Sequence, residues 1–302
     1  MKRIVIIGIK GFIGSHLNSY LLKQNGYAVW GCDVVNDYTS KNYFVIDAGN
    51  PNFEALFIEQ DFDVCINCSG SASVPDSMAH PLRDFYLNTV NVFKLVEAIR
   101  MCSPKCKFLT ISSAAVYGNP VELPITESAL VRPLSPYGYH KLQTENICEE
   151  YHRVYNIQTC SIRIFSAYGR GLKKQLFWDI TQKISKAAIL HLSGTGNESR
   201  DFIHVWDIIQ AIELIIAKGD FNNGCYNIAN GIEITIKEVA EKIIFLSGLK
   251  TEVQFDRNIR PGDPLNWKAD ITKIATLGYK QHINIEEGLT DYIKWLQEER
   301  LV

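Results

Sequence analysis

The chain has 302 residues, of which 46% are hydrophobic and 21% charged, and 33 acidic against 31 basic side chains give a formal net charge of -2. This balance fits a globular protein with a sizeable core and excludes disordered, collagen-like and small disulfide-stapled classes. There is no polybasic tail, no basic stripe with an aromatic platform for nucleic acid, and no run approaching the roughly 18 apolar residues of a membrane span.

Residues 3–8 read as a continuous apolar strand. The opening Met1-Lys2-Arg3 resembles the front of a signal peptide, but the run contains Gly8, stops at Lys10 and has no cleavage site after it. A cytoplasmic protein with free thiols is therefore expected. A helix over 12–25 follows, then strands over 27–33 and 43–47, a short helix over 51–60 opened by Asn50-Pro51, and a strand over 64–68. Residues 81–100 form a long helical pattern whose Leu87, Val90, Phe93, Leu95, Val96 and Ile99 supply a buried side. A strand over 108–112, a helix capped by Ser135-Pro136 and running to about 156, and a strand over 161–165 complete this half. Unalternated apolar strands separated by helices predict an α/β fold, a Rossmann-type parallel sheet covered on both faces, over residues 1–165.

Residues 166–302 predict a smaller mixed α/β C-terminal substrate lobe. Its helices span 175–187, 205–218, 236–247 and 285–299, with strands near 189–192, 225–228 and 252–255 and a polar loop over 194–199. No linker or internal repeat separates the halves, so chain crossings between lobes are expected. Of the eight cysteines, Cys65 and Cys68 form a C-x-x-C pair without a second pair at zinc-finger spacing. On a strand their odd spacing sends them to opposite faces, as core thiols. His16, His140 and His204 have no carboxylate or cysteine neighbours at metal-ligand spacing, and no metal is expected.

Gly8-x-x-Gly11-x-x-Gly14 follows the first strand and opens the first helix. Glycine suits a tight turn where backbone approaches a pyrophosphate and a helix N-terminus offers free N–H groups to it. Asp33 ends the second strand, where a carboxylate accepts both adenosine ribose hydroxyls and repels a 2'-phosphate, favouring NAD over NADP. Asp47, at the end of the third strand, is a candidate acceptor from the adenine amine, with a helix-capping or surface role as the alternative.

Ser112 and Ser113 follow a strand, and Tyr137 and Lys141 lie four apart on one face near a helix start. Lys141 close to Tyr137 is expected to favour phenolate, bringing the tyrosine down toward operating pH, and to hold a nicotinamide ribose. Ser113 is the expected hydrogen-bond partner of the sugar oxygen whose proton Tyr137 removes.

The glycine triplet, Ser112-Ser113-Ala114-Ala115-Val116-Tyr117-Gly118, Ser135-Pro136-Tyr137-Gly138-Tyr139-His140-Lys141, Arg200-Asp201-Phe202-Ile203-His204-Val205 and Arg260-Pro261-Gly262-Asp263 span nearly the whole chain. Together they resemble the extended short-chain dehydrogenases/reductases, in the branch of sugar-nucleotide epimerases and dehydratases. The resemblance implies tightly held NAD, a nucleoside-diphosphate sugar in the cleft between lobes, and Ser113, Tyr137 and Lys141 as catalytic residues. It implies cofactor contacts from Gly8, Gly11, Phe12, Ile13, Gly14, Asp33, Asp47, Ala48, Cys68, Gly70, Ser71, Tyr137 and Lys141. Substrate contacts fall on Ser73, Ser113, Ser166, Gln175, Arg200, Arg260 and Asp263, the two arginine forks suiting a diphosphate. Asn88 matches a structural asparagine.

Three departures bear on the reaction. Where the family usually has Phe-Asn, this chain has Phe165-Ser166, which passes that contact to Lys173, Lys174 or Gln175 or alters it. The loop after the fourth strand is Ser69-Gly70-Ser71-Ala72-Ser73-Val74 rather than alanine-rich. Ser113 is followed by Ala114-Ala115, not by the acid that a 4,6-dehydratase uses on the C6 hydroxyl. C4 epimerisation through a transient 4-keto sugar is the leading expectation. Reduction of a nucleotide-linked 4-keto-6-deoxysugar by NADH or NADPH is the alternative, and a non-catalytic NAD-binding subunit disagrees with the intact triad. The resemblance also implies a homodimer formed through two helices; segments 81–100 and 137–156 are the candidates, and their apolar stripes could equally face only the sheet.

Overall fold

The computed structural model describes residues 1–258 and 260–301. Strand β1 (Lys2–Ile7) is apolar on both sides, sending Ile4 and Ile6 into one buried cluster and Val5 and Ile7 into another. Only a strand sandwiched between helices requires that pattern. Helix α1 (Phe12–Leu21) ends sooner than its sequence pattern suggested, and β2 (Tyr27–Asp33), β3 (Tyr43–Val45), α2 (Glu54–Glu59) and β4 (Val64–Asn67) follow.

Next come α3 (Val74–Ala79) and α4 (Pro81–Phe85), a π-turn over Tyr86–Val90, and α5 (Asn91–Cys102). The expected single helix over 81–100 is thus interrupted where one residue is looped into a wider turn, and the Thr144 hydroxyl bonds the Asn88 carbonyl there at 2.7 Å. Strand β5 (Lys107–Ser113) leads through a tight turn at Ala114–Val116 to α6 (Pro136–Tyr155) and β6 (Thr159–Ile164).

The second half contributes β7 (Ser166–Tyr168), α7 (Gln175–Ile184), β8 (Ile189–Leu192), β9 (Ser199–His204), α8 (Val205–Lys218) and β10 (Asn222–Ile228). It ends with β11 (Glu233–Thr235), α9 (Ile236–Ser247), β12 (Glu252–Phe255), α10 (Thr272–Thr276) and α11 (Ile285–Glu298). Strand β9 lies partly in a stretch read as a polar loop, and β7 and β11, its partners in a three-stranded sheet, were not foreseen. Strands of three residues carry too little periodicity to register.

The large sheet has seven parallel strands in the order β10-β6-β5-β4-β1-β2-β3. The order reverses beside β1, the point where open α/β sheets bind ligands at their strand ends. Helices α1 and α8 cover one face, and α2, α5 and α6 the other. The chain leaves this sheet after β6 and returns to it with α8 and β10. The smaller lobe packs α7, α9 and α11 around its own core, with β8 and β12 paired in parallel. Cys65 and Cys68 indeed fall on opposite faces of the large sheet, and all eight cysteines are free. Among the described residues, no helix is long and apolar enough to cross a membrane.

Candidate active site

The turn between β1 and α1 is built by steric necessity. Gly8 has φ +78°, and a Cβ there would stand 2.8 Å from the Ser69 amide nitrogen. A Cβ on Gly14 would stand 2.2 Å from the Gly8 carbonyl oxygen. Gly11 begins α1 without any side-chain cap, so the first N–H groups of the helix, around Phe12 and Ile13, are available to an anion. The Asp33 carboxylate accepts the Lys10 N–H at 2.9 Å and the Val34 N–H at 2.7 Å, which fixes it beside this turn. Lys10 itself reaches Asp37 at 2.5 Å.

Asp47 lies exposed in a turn rather than at a helix start, and one of its carboxylate oxygens accepts the Gly49 and Asn50 N–H groups, each at 2.7 Å. Ala48 is exposed in the same turn. Cys68, Gly70 and Ser71 line the strand-end loop after β4, with Gly70 at φ +110° and its missing Cβ only 2.5 Å from the Asn88 side-chain oxygen. Both polar atoms of that Asn88 amide are buried and have no hydrogen-bond partner among the described residues. Treated from sequence as a structural residue, Asn88 instead offers a donor and an acceptor beside the loop. A glycine cradle, a free helix N-terminus, a ribose-type carboxylate and an orphaned amide together fit a dinucleotide.

The catalytic candidates converge at the strand end of β5. Ser135 caps α6 by accepting the Gly138 N–H at 3.2 Å, and Gly138 lets the helix start lie against the β5 turn, where a Cβ would stand 2.7 Å from the Ala115 carbonyl oxygen. Tyr137, Lys141 and Ser113 are all buried. The Lys141 ammonium donates to the Ile111 carbonyl at 2.9 Å and lies 5.9 Å from the centre of the Tyr137 ring.

The expected lowering of the tyrosine is not what this environment produces. Burial pushes the Tyr137 phenol up to about 12; a hydrogen bond from Ser113 works against this shift, and the Asp84 charge adds to it. Burial also pulls Lys141 down to about 8, against the pull of Asp84, Cys68 and Glu145. Both shifts have one cause: a site with little water disfavours either charge.

Behind these groups, Arg163 forks onto Glu145 at 2.7 and 3.0 Å and reaches the Tyr117 hydroxyl at 2.8 Å. Tyr117 donates to Asn227 at 2.6 Å, tying β10 to the rear of the site. His140, read from sequence as a helix-face or loop residue, is buried with its Nδ1 2.6 Å from Asp84.

A cavity of about 660 Å³ opens from Tyr137 and Ser113 between the lobes, large enough for a nucleotide-sized ligand. Ser73, Ser166, Gln175, Arg200, Arg260 and Asp263 all line it. Ser73 also caps α3, accepting the Asp76 N–H at 3.2 Å. Gln175, at φ +67°, anchors the start of α7 to the Ala72 carbonyl at 3.3 Å. Arg200 is held by the Ser199 and Leu265 carbonyls at 2.8 and 3.2 Å and lies 5.5 Å over the Trp267 ring. Burial lowers its affinity for a proton while the nearby Asp263 raises it. Lys174 and Trp178 join the wall. Trp267 was missed because an isolated tryptophan in a loop has no spacing to mark it; its indole N–H donates to the Gly118 carbonyl at 2.9 Å and fixes the ring under Arg200. Among the described residues, no cluster of three or more His, Cys, Asp or Glu side chains is placed to hold a metal.

Residues 5–292 match the family model described as GDP-mannose 4,6 dehydratase. The UDP-glucose 4-epimerase of Bacillus subtilis (strain 168) is 28% identical over 332 residues, spanning 97% of this chain and 96% of that protein. The solved UDP-glucuronic acid 4-epimerase from Bacillus cereus, in complex with UDP-glucuronic acid and NAD, has a TM-score of 0.89 at 26% identity, over 98% of this chain and 99% of that one. The UDP-N-acetylglucosamine 4-epimerase from Methanobrevibacter ruminantium M1, in complex with UDP-N-acetylmuramic acid, has a TM-score of 0.87 at 28% identity, over 99% of each chain.

Proposed function

Since the chain belongs to the GDP-mannose 4,6 dehydratase family of extended short-chain dehydrogenases/reductases, the NAD-dependent sugar-nucleotide epimerases and dehydratases, we propose that it is a nucleoside-diphosphate-sugar 4-epimerase. The observation that carries this reading is the single cavity in which Tyr137 and Ser113 share the wall with Arg200 and Arg260. A proton-transfer group and two diphosphate-type cations thus face the same space.

NAD is the cofactor; the free N-terminus of α1, Asp33 and the Asn88 amide would hold it, and it would supply reversible hydride exchange at C4. The protein does the rest. Arg200 and Arg260 hold the diphosphate. Ser113 bonds the C4 oxygen, and Tyr137 receives its proton and gives it back. Lys141 brings a positive charge to 5.9 Å from the centre of the Tyr137 ring, the kind of charge that opposes the upward push of burial on the phenol. The Ala114-Ala115 turn after Ser113 brings no acid for expelling a C6 hydroxyl, which favours epimerisation over dehydration. The Phe165-Ser166 pair and the nearby Trp178 support the second reading, 4-keto reduction, by changing the wall against which the sugar lies.

NMR on the purified protein with UDP-, dTDP- and GDP-sugars, with and without NADH, separates the two. Epimerisation gives C4 epimers with no net use of cofactor, whereas reduction consumes NADH or NADPH stoichiometrically and only with 4-keto substrates. Tyr137→Phe is expected to stop turnover and leave bound NAD in place; turnover retained by that variant would remove the acid–base role.

A further inference from the structure

One lysine ties the glycine turn to the β2–β3 loop. The Lys10 N–H donates to the Asp33 carboxylate at 2.9 Å, while the Lys10 ammonium crosses to Asp37 at 2.5 Å. Lys10 therefore springs from the wall on which Asp33 would meet the adenosine ribose. A cation beside that carboxylate is what accommodates a 2'-phosphate, whereas the carboxylate itself favours a bare hydroxyl. Taken alone, Lys10 would favour NADP and Asp33 NAD.

Asp37 is built to hold that cation. Its side chain is 8% exposed, against 41% for that of Lys10. One carboxylate oxygen accepts the Thr39 N–H and hydroxyl at 2.8 and 2.7 Å and the Ser40 N–H at 3.2 Å. The other accepts the Ser40 hydroxyl at 2.9 Å together with the Lys10 ammonium. Tyr43, on β3, pins the loop a second time: its hydroxyl donates to the Val35 carbonyl, and its ring lies 5.3 Å from the Lys10 ammonium. Lys10 first, then Thr39 and Ser40, hold the Asp37 carboxyl well below the usual carboxylate range, so it stays charged through neutral pH. An ion pair this close to solvent adds little to stability. What it changes is the availability of the lysine.

We propose that Asp37 is a cofactor-selectivity residue: by holding the Lys10 ammonium it denies a 2'-phosphate its cation and leaves the Asp33 preference for NAD unopposed. The inference rests on the dinucleotide cradle described above and not on the sugar reaction.

Asp37→Asn keeps an oxygen for Thr39 and Ser40 and places an amide where the lysine was held, so it frees Lys10 without unmaking the loop. Each protein is folded in cells that contain both NAD and NADP, and the nucleotide released on denaturing it is quantified by chromatography. A protein that purifies empty is titrated with each nucleotide by calorimetry instead. Asp37→Asn is expected to raise the preference for NADP relative to NAD by about 10-fold or more. In a Lys10→Met background the same substitution is expected to have little effect.

An unchanged preference in Asp37→Asn overturns the inference. So does an equal rise in both backgrounds, which would assign the effect to the loss of one negative charge and not to the freed lysine. Asp37→Ser, which also removes the charge, is read in the same way if the asparagine variant does not fold. Turnover enters none of these readings: a protein inactive on every nucleotide sugar still tests Asp37, and an unchanged nucleotide preference leaves the proposed epimerisation standing.

Discussion

Ser112 and Ser113 are consecutive residues of β5 with opposite employments: the Ser112 hydroxyl donates to Glu145 at 2.5 Å, while that of Ser113 accepts the Ala115 N–H at 3.1 Å and lines the cavity with Tyr137. A strand sends neighbouring side chains to opposite faces, so one serine faces the α6 scaffold and the other the chemistry. Ser113→Ala is expected to lower kcat by about 10- to 100-fold with little change in Tm. Ser112→Ala, which deprives a buried carboxylate of a donor, is expected to cost about 1–3 kcal/mol of stability with a smaller effect on kcat. Thermal melts and initial rates on both variants check this, and equal losses of kcat would contradict the division.

Gly70→Ala places a methyl group against Asn88 at a backbone angle that L-residues rarely adopt. The strain is expected to cost about 1–3 kcal/mol and to displace the loop beneath the dinucleotide. Nucleotide released on denaturing the purified variant, quantified by chromatography, should fall well below one NAD per chain. Full retention would show that the loop yields without cost to the cradle.

Arg200 stands over Trp267, with its donors partly committed to carbonyls. Arg200→Ala is expected to weaken binding of nucleoside diphosphate by about 10- to 100-fold. Arg200→Lys, which keeps the charge and loses the fork, should fall between the two. Calorimetric titration with UDP, dTDP and GDP measures both, and unchanged affinity in the alanine variant would take Arg200 out of the diphosphate site.

His204 starts α8 by accepting the Trp206 N–H on its Nδ1 at 3.3 Å, and its other ring nitrogen is buried without a partner among the described residues. Burial pulls it down to about 4 from an ordinary 6.5. The unfolded chain therefore takes up a proton below pH 6.5 that the folded protein refuses until about pH 4. Stability from the neutral ring is complete above that window and lost as pH falls through it, by on the order of 2 kcal/mol. Asp201, raised by burial to about 6, works in the opposite direction: its contribution is lost as pH rises through its own window. His204→Asn keeps the cap and removes the titration, so its Tm should fall less between pH 7 and 5 than that of the wild type. Parallel melting curves would count against this role.

Leu82, Tyr86 and Tyr139, on α4, the π-turn and α6, are 67%, 55% and 54% exposed. That apolar face is where we propose that two copies of the chain meet. Analytical ultracentrifugation at micromolar concentration should show a dimer that Leu82→Glu combined with Tyr86→Lys converts to monomer. A 34.2 kDa species for the unmodified protein would refute the dimer.

What the sequence made legible follows the reach of each signal. Gly8, Gly11 and Gly14 could be read because backbone sterics within one turn demand them, and Tyr137 and Lys141 because helical spacing alone puts them on one face. The π-turn was invisible, since one extra residue in a helix leaves its apolar side nearly continuous. The direction of the Tyr137 shift was misjudged because the lysine is evident from spacing, whereas the extent of burial depends on elements far along the chain. His140 and Asp84 are 56 residues apart and come together only through the packing of α4 on α6. Arg200 and Arg260 were found through family motifs, and Trp267 beneath Arg200 was not.

The return of the chain to its first sheet bears on how the protein is made. Strand β10 supplies the edge beyond β6, and α8 covers the face that α1 leaves open. A ribosome that has released only residues through β6 has therefore exposed a sheet with a bare edge and a half-covered apolar face. Such a nascent chain can stick to other chains until residue 228 emerges. A fragment cut between the lobes inherits the same defect permanently, so the nucleotide-binding half is not expected to be soluble alone.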